Sequence, residues 1–64
     1  MKVREMIRLL EADGWYEIRQ TGSHKHFKHA TKPGIVTVPD HRSKDLGEKT
    51  YYSILKQAGL KKED

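Results

Sequence analysis

The sequence predicts a two-layer α+β domain in the order α-β-β-β-α, a three-stranded antiparallel sheet with both helices on one face. Three observations predict it. Apolar residues recur at helical spacing near both ends of the chain, the middle alternates with period two, and Gly22-Ser23 sits where a two-residue hairpin loop belongs. A single sheet with one apolar face needs cover, and two flanking amphipathic helices supply it while the opposite face stays open to solvent.

Val3, Met6, Ile7 and Leu10 lie along one helical stripe, with Lys2, Arg4, Glu5, Arg8 and Glu11 mostly off it. Gly14 suits the C′ position that ends such a helix, and Trp15 is then placed to pack back on Leu10. Residues 16–21 read as a strand, Gly22-Ser23 as a type II′ turn and residues 24–29 as the paired strand. This register sets Thr21 opposite His24, Gln20 opposite Lys25, Arg19 opposite His26, Ile18 opposite Phe27, Glu17 opposite Lys28 and Tyr16 opposite His29. Opposed residues share a face, so Ile18, Phe27 and the Tyr16 ring are expected in the core. Thr21, His24, Arg19, His26, Glu17 and Lys28 are expected on the open face.

Pro33 and Gly34 fit the central positions of a type II turn, and the β-branched residues 35–38 form a third strand that Pro39 ends. Asp45 and Glu48 read as N-cap and N3 of a capping box that opens the second helix. Its apolar stripe is Tyr51, Ile54, Leu55 and Ala58, and it closes on Gly59 with Leu60 packing on Leu55. Residues 1–60 thus make one domain, and 61–64 a short charged tail.

A chain of 64 residues buries only about 60% of its unfolded surface, so stability rests on one modest core or on a partner. The absence of cysteine fits a reducing cytoplasm. No apolar run approaches the roughly 20 residues that span a bilayer, and the N-terminus leads into an amphipathic pattern rather than a signal sequence. A cytoplasmic protein without membrane association is expected. Thirteen Lys and Arg exceed nine Asp and Glu, two of the acids standing at the extreme C-terminus, which favours an anionic partner such as nucleic acid.

Cleaving RNA without a metal takes a base for the ribose 2′-OH proton, cations for the phosphate and preferably an acid for the leaving 5′ oxygen. Histidine suits both proton roles near neutrality. His24 is the candidate catalytic residue, because a strand start beside a glycine turn leaves room for substrate. His26, about 6.6 Å along the same face, is the candidate second acid or base. Arg19 offers a fork for phosphate oxygens and Lys28 a point charge. Lys28 also has an inert role open to it, a surface pair with Glu17 worth roughly 0–1 kcal/mol. Lys25 has core parity, but beside the turn its stem can cover apolar surface while its ammonium reaches solvent. Tyr52, off the apolar stripe, is a candidate to stack on a base. Zinc is the competing chemistry, with nitrogen ligands from His24, His26, His29 and His41. Against it, His29 has the opposite parity, His41 lies in a separate loop, and no cysteine or acidic triad completes a set.

Gly14-Trp15, Arg19, Gly22-Ser23-His24 with Phe27, Val36-Thr37-Val38-Pro39 and the run from Ser53 to Leu60 occur together and in order. In these motifs, spread over nearly the whole chain, the sequence resembles the HicA family of toxins from HicA/HicB toxin-antitoxin systems. The resemblance implies a double-stranded-RNA-binding-domain-like fold and a ribosome-independent mRNA interferase whose catalytic histidine aligns with His24. It also implies a HicB-type antitoxin that masks the His24 face, and no cofactor. Members often carry a second histidine directly after the first, where this chain has Lys25 before His26, and often Gly-Thr where it has Lys49-Thr50. The reading that results is an endoribonuclease toxin acting on mRNA, with His24 as base or acid, Arg19, Lys28 and Lys25 holding phosphate, and Tyr52 available for stacking. A non-catalytic RNA-binding module, or a protein-interaction domain, would use the same face.

Overall fold

The computed structural model describes residues 2–40 and 45–60. They form α1 (Val3–Ala12), β1 (Trp15–Thr21), β2 (His24–His29), β3 (Val36–Pro39) and α2 (Glu48–Gln57). The sheet is antiparallel in the order β1-β2-β3, so the histidine-bearing strand is central. Against it α1 packs on β1 and β3, and α2 on β3. This is the two-layer arrangement expected from the sequence. Phe27, Met6, Leu10, Ile54, Val36 and Val38 are the largest fully buried side chains, and among the described residues no polar side chain is buried.

Both helices bury the stripes their spacing predicts, Val3, Met6 and Leu10 on α1 and Ile54 and Leu55, with Ala58 at its end, on α2. Their ends are held by glycine. Gly59 has φ +68° and donates to the Lys56 carbonyl, while Leu60 N–H reaches the Leu55 carbonyl at 2.8 Å, the two bonds of a Schellman ending. Gly14 has φ +103°, and a Cβ there would stand 2.8 Å from His29 Nε2, so both the backbone and the close approach require glycine.

The start of α2 differs from the expected capping box. Gly47, not Asp45, is the N-cap, and no side chain caps it. Glu48, one residue into the helix instead of three, accepts a hydrogen bond from the Tyr52 hydroxyl at 3.2 Å. Leu46 is buried at N′ with Tyr51 at N4, the positions of a hydrophobic staple, so apolar packing sets the entry. The third strand begins at Val36, leaving Ile35 exposed, and Pro39 belongs to the ladder opposite His24. Proline is tolerated there because β3 is an edge strand. The expected tail, residues 61–64, lies outside the described residues.

The largest departure is in β1. The register holds at Thr21↔His24, Gln20↔Lys25 and Arg19↔His26, but a bulge between Glu17 and Arg19 then inserts Ile18 as an extra residue. Beyond it the pairs are Glu17↔Phe27, Tyr16↔Lys28 and Trp15↔His29. The faces therefore exchange. Trp15 is 2% exposed, whereas Tyr16 at 50% and Ile18 at 42% lie outside the core they were expected to join. Burial of Trp15 contributes about 4–6 kcal/mol, at ~25 cal/mol/Å² over the roughly 150–250 Å² that an aromatic side chain covers. Trp15 also meets His29 edge-on, ring centroids 5.2 Å apart, and donates from Nε1 to the Asp13 carboxylate.

Candidate active site

Three cross-strand rows make up the open face. Thr21, His24 and Pro39 form the row beside the 22–23 turn; Arg19, His26 and Thr37 form the second; Tyr16 and Lys28 form the third. Successive rows are about 6.6 Å apart along β2. Gly22 takes φ +58° as the first central residue of the turn. The turn is tied from two sides, since Gln20 Nε2 donates to the Gly22 carbonyl at 2.8 Å and Asp40 N–H to the Ser23 carbonyl at 2.6 Å. His24 thus leaves a braced loop, with its side chain exposed.

His26 is half-buried, and its Nδ1 lies 3.0 Å from Thr37 Oγ1. A threonine hydroxyl both donates and accepts, so it can meet Nδ1 in either tautomer and steady the ring. Arg19 and Lys28 are exposed on the same face. The bulge alters the charge of this surface as well as its shape. Glu17, expected beside Lys28, is moved opposite Phe27, and no acidic side chain stands in the three rows. His24, His26, Arg19 and Lys28 are therefore gathered on one cationic face, as their spacing predicted.

A solved toxin-antitoxin complex from Streptococcus pneumoniae contains a chain that superposes on this one with a TM-score of 0.79 and 34% identity, over 94% of this chain and 98% of that one. A relative from Pseudomonas fluorescens (strain Pf0-1), named a probable mRNA interferase HicA, is 44% identical over 61 residues, 95% of this chain and 98% of its own. The family model for the HicA toxin of bacterial toxin-antitoxin systems matches residues 3–60. The chain belongs to the HicA toxin family. It is the toxin component of a toxin-antitoxin system.

Two residues expected at the RNA stand apart from the HicA histidine face. Lys25 has the parity of Phe27 and pairs with Asp40 at 3.4 Å, lining a cavity of about 670 Å³ against α1 with Lys2, Arg4 and Arg8. Tyr52 belongs to the helical layer, partly buried against the core, its hydroxyl on Glu48 and its ring beside Tyr51. His29 is structural. Its Nε2–H donates to the Asp13 carbonyl at 2.6 Å, while Nδ1 accepts from the N–H groups of Thr31 and Lys32 at 3.0 and 3.1 Å, which fixes the proton on Nε2.

The sequence reading missed the other members of this cluster. Lys32 pairs with the Asp13 carboxylate and donates to the Ala58 carbonyl at 3.0 Å, so one ammonium ties the ends of both helices. Its hydrogen bond and charge hold the Asp13 carboxyl below the ordinary value of 3.8. With His29 engaged on the core side, away from the face that carries His24 and His26, no three His, Cys, Asp or Glu side chains converge as metal ligands among the described residues. His41 lies outside them. No helix among the described residues is long and apolar enough to cross a membrane.

Proposed function

We propose that this HicA toxin is an endoribonuclease that cleaves single-stranded mRNA without a metal, by attack of the adjacent 2′-OH. The gathering of two histidines, an arginine and a lysine on one exposed face, in rows that hold no carboxylate among the described residues, carries the reading, and the name of the Pseudomonas relative supports it. One histidine accepts the 2′-OH proton as the oxygen attacks phosphorus. The P–O5′ bond breaks, and the 5′ oxygen leaves with a proton from an acid, giving a 2′,3′-cyclic phosphate and a 5′-OH. His24, the more exposed, is the first choice for direct proton transfer, and the position of His26 in the next row supports it as the second acid or base, across a phosphate spanning the two. Arg19 and Lys28 hold non-bridging oxygens. Lys25 and Tyr52, placed elsewhere, are not needed for these steps.

The partner follows from the same surface. A HicB-type antitoxin covers the His24 face, which removes both the base and the phosphate-holding cations from RNA. That the structural relative comes from a toxin-antitoxin complex supports such a partner.

The test is purified protein with end-labelled single-stranded RNA in EDTA, beside His24→Ala. Cutting by the unsubstituted protein and a loss of at least about 100-fold in the variant are expected, the range general acid-base catalysis contributes. Uncut RNA sinks the nuclease reading, and equal cutting by the variant sinks the role of His24.

A further inference from the structure

We infer that Tyr16 is a base-stacking platform, which holds a nucleotide of single-stranded RNA beside the cleavage site; this rests on the nuclease reading above. Strict alternation would bury Tyr16, but the bulge at Ile18 places it on the open face, directly opposite Lys28 and in line with Arg19 and His26. It is the most exposed large apolar side chain among the described residues, at 50%, and Ile18 beside it is 42% exposed. The same bulge buries Trp15. It does not decide what the displaced ring meets.

The surroundings do. Lys28 stands across from the ring as a phosphate contact, and no acidic residue lies in the rows between Tyr16 and His24. An aromatic ring on a strand beside a cation, in rows without an acid among the described residues, is suited to a polyanion with flat bases, where stacking tolerates any sequence. Charge favours RNA over an apolar protein segment. Lys28 is four residues from His24, about 13 Å along β2, so the stacked base flanks the reacting pair and does not belong to it. Tyr16 is accordingly a positioning residue whose loss raises KM and spares kcat.

The experiment separates this inference from the reaction itself. Single-stranded RNA with every 2′-OH methylated resists cleavage by 2′-OH attack, and 2-aminopurine placed at successive positions reports stacking by quenching. The unsubstituted protein is expected to quench one position away from the cleaved bond. Tyr16→Ala abolishes that quench and weakens binding roughly 5- to 100-fold, whereas Tyr16→Phe retains both. On cleavable RNA, Tyr16→Ala raises KM with kcat unchanged. Unaltered binding and quench in Tyr16→Ala, while the unsubstituted protein binds and cuts, overturn the stacking role alone. Absence of RNA binding by the unsubstituted protein overturns it together with the nuclease reading. Loss of antitoxin binding in Tyr16→Ala with RNA binding intact assigns the ring to the protein partner and also overturns it.

Discussion

At the scale of residues, the three described histidines show how little a residue type decides by itself. His24 and His26 stand on the open face, one exposed and one braced by Thr37, whereas His29 organises the chain end of α1 and the loop after β2. Asp13 and Lys32 complete that cluster, and it carries a pH signature. Because Lys32 holds the Asp13 carboxyl below 3.8 in the folded state, the unfolded chain binds more protons in the window just beneath that value. Stability then rises with pH through the window, is fully present above it, and is lost as pH falls through the depressed value. In urea titrations from about pH 5 to about pH 2.5, the unsubstituted protein should lose stability more steeply than Asp13→Asn. Parallel curves would show that the Asp13–Lys32 pair contributes nothing to folding.

At the scale of elements, the bulge in β1 is the informative feature. Ile18 is the extra residue, so removing it joins Glu17 to Arg19 and leaves both halves of the register as they are: Trp15 inward, Tyr16 outward, Arg19 outward. Deleting a residue inside a strand ordinarily reverses every side chain beyond it. Here the deletion of Ile18 is expected to leave a folded domain with Tm changed by no more than about 5 °C, whereas Trp15→Ala, losing about 3–5 kcal/mol, should lower Tm by roughly 12 °C or more. Calorimetry on the two variants checks this. Collapse of the deletion variant, with Trp15 fluorescence moving to that of solvent, would mean that the bulge itself holds the strand.

The same element marks where the sequence was legible. Near the Gly22-Ser23 turn, loop length fixes the register, and Arg19, His24 and His26 were placed correctly from the chain alone. Farther out, Tyr16 and Ile18 alternate as well as a core strand should, and only the size of Trp15 and its place beside Gly14 point to the register in which Trp15 faces His29. The helices were legible in their stripes and their glycine ends. The entry to α2 was not, because Asp45 and Glu48 have capping-box spacing while the buried Leu46 determines where the turn begins. Lys32 could not be found locally, since it joins residues nineteen and twenty-six positions away.

At the scale of the whole molecule, the domain is a slab of 31 × 31 × 17 Å, one helical layer on one sheet. Among the described residues such a slab leaves one side of the sheet without a helix, and in this toxin that side carries His24, His26, Arg19 and Lys28. On the proposed function, RNA and antitoxin compete for that same open face. The RNA, on that proposal, supplies its own nucleophile there. The direct measurement is cleavage of an RNA carrying a single 2′-deoxynucleotide on the 5′ side of a mapped cut, with the ends of the products identified. Cutting at that bond should be abolished while neighbouring sites are still cut and leave 2′,3′-cyclic phosphates. Undiminished cutting at the deoxy position would contradict it.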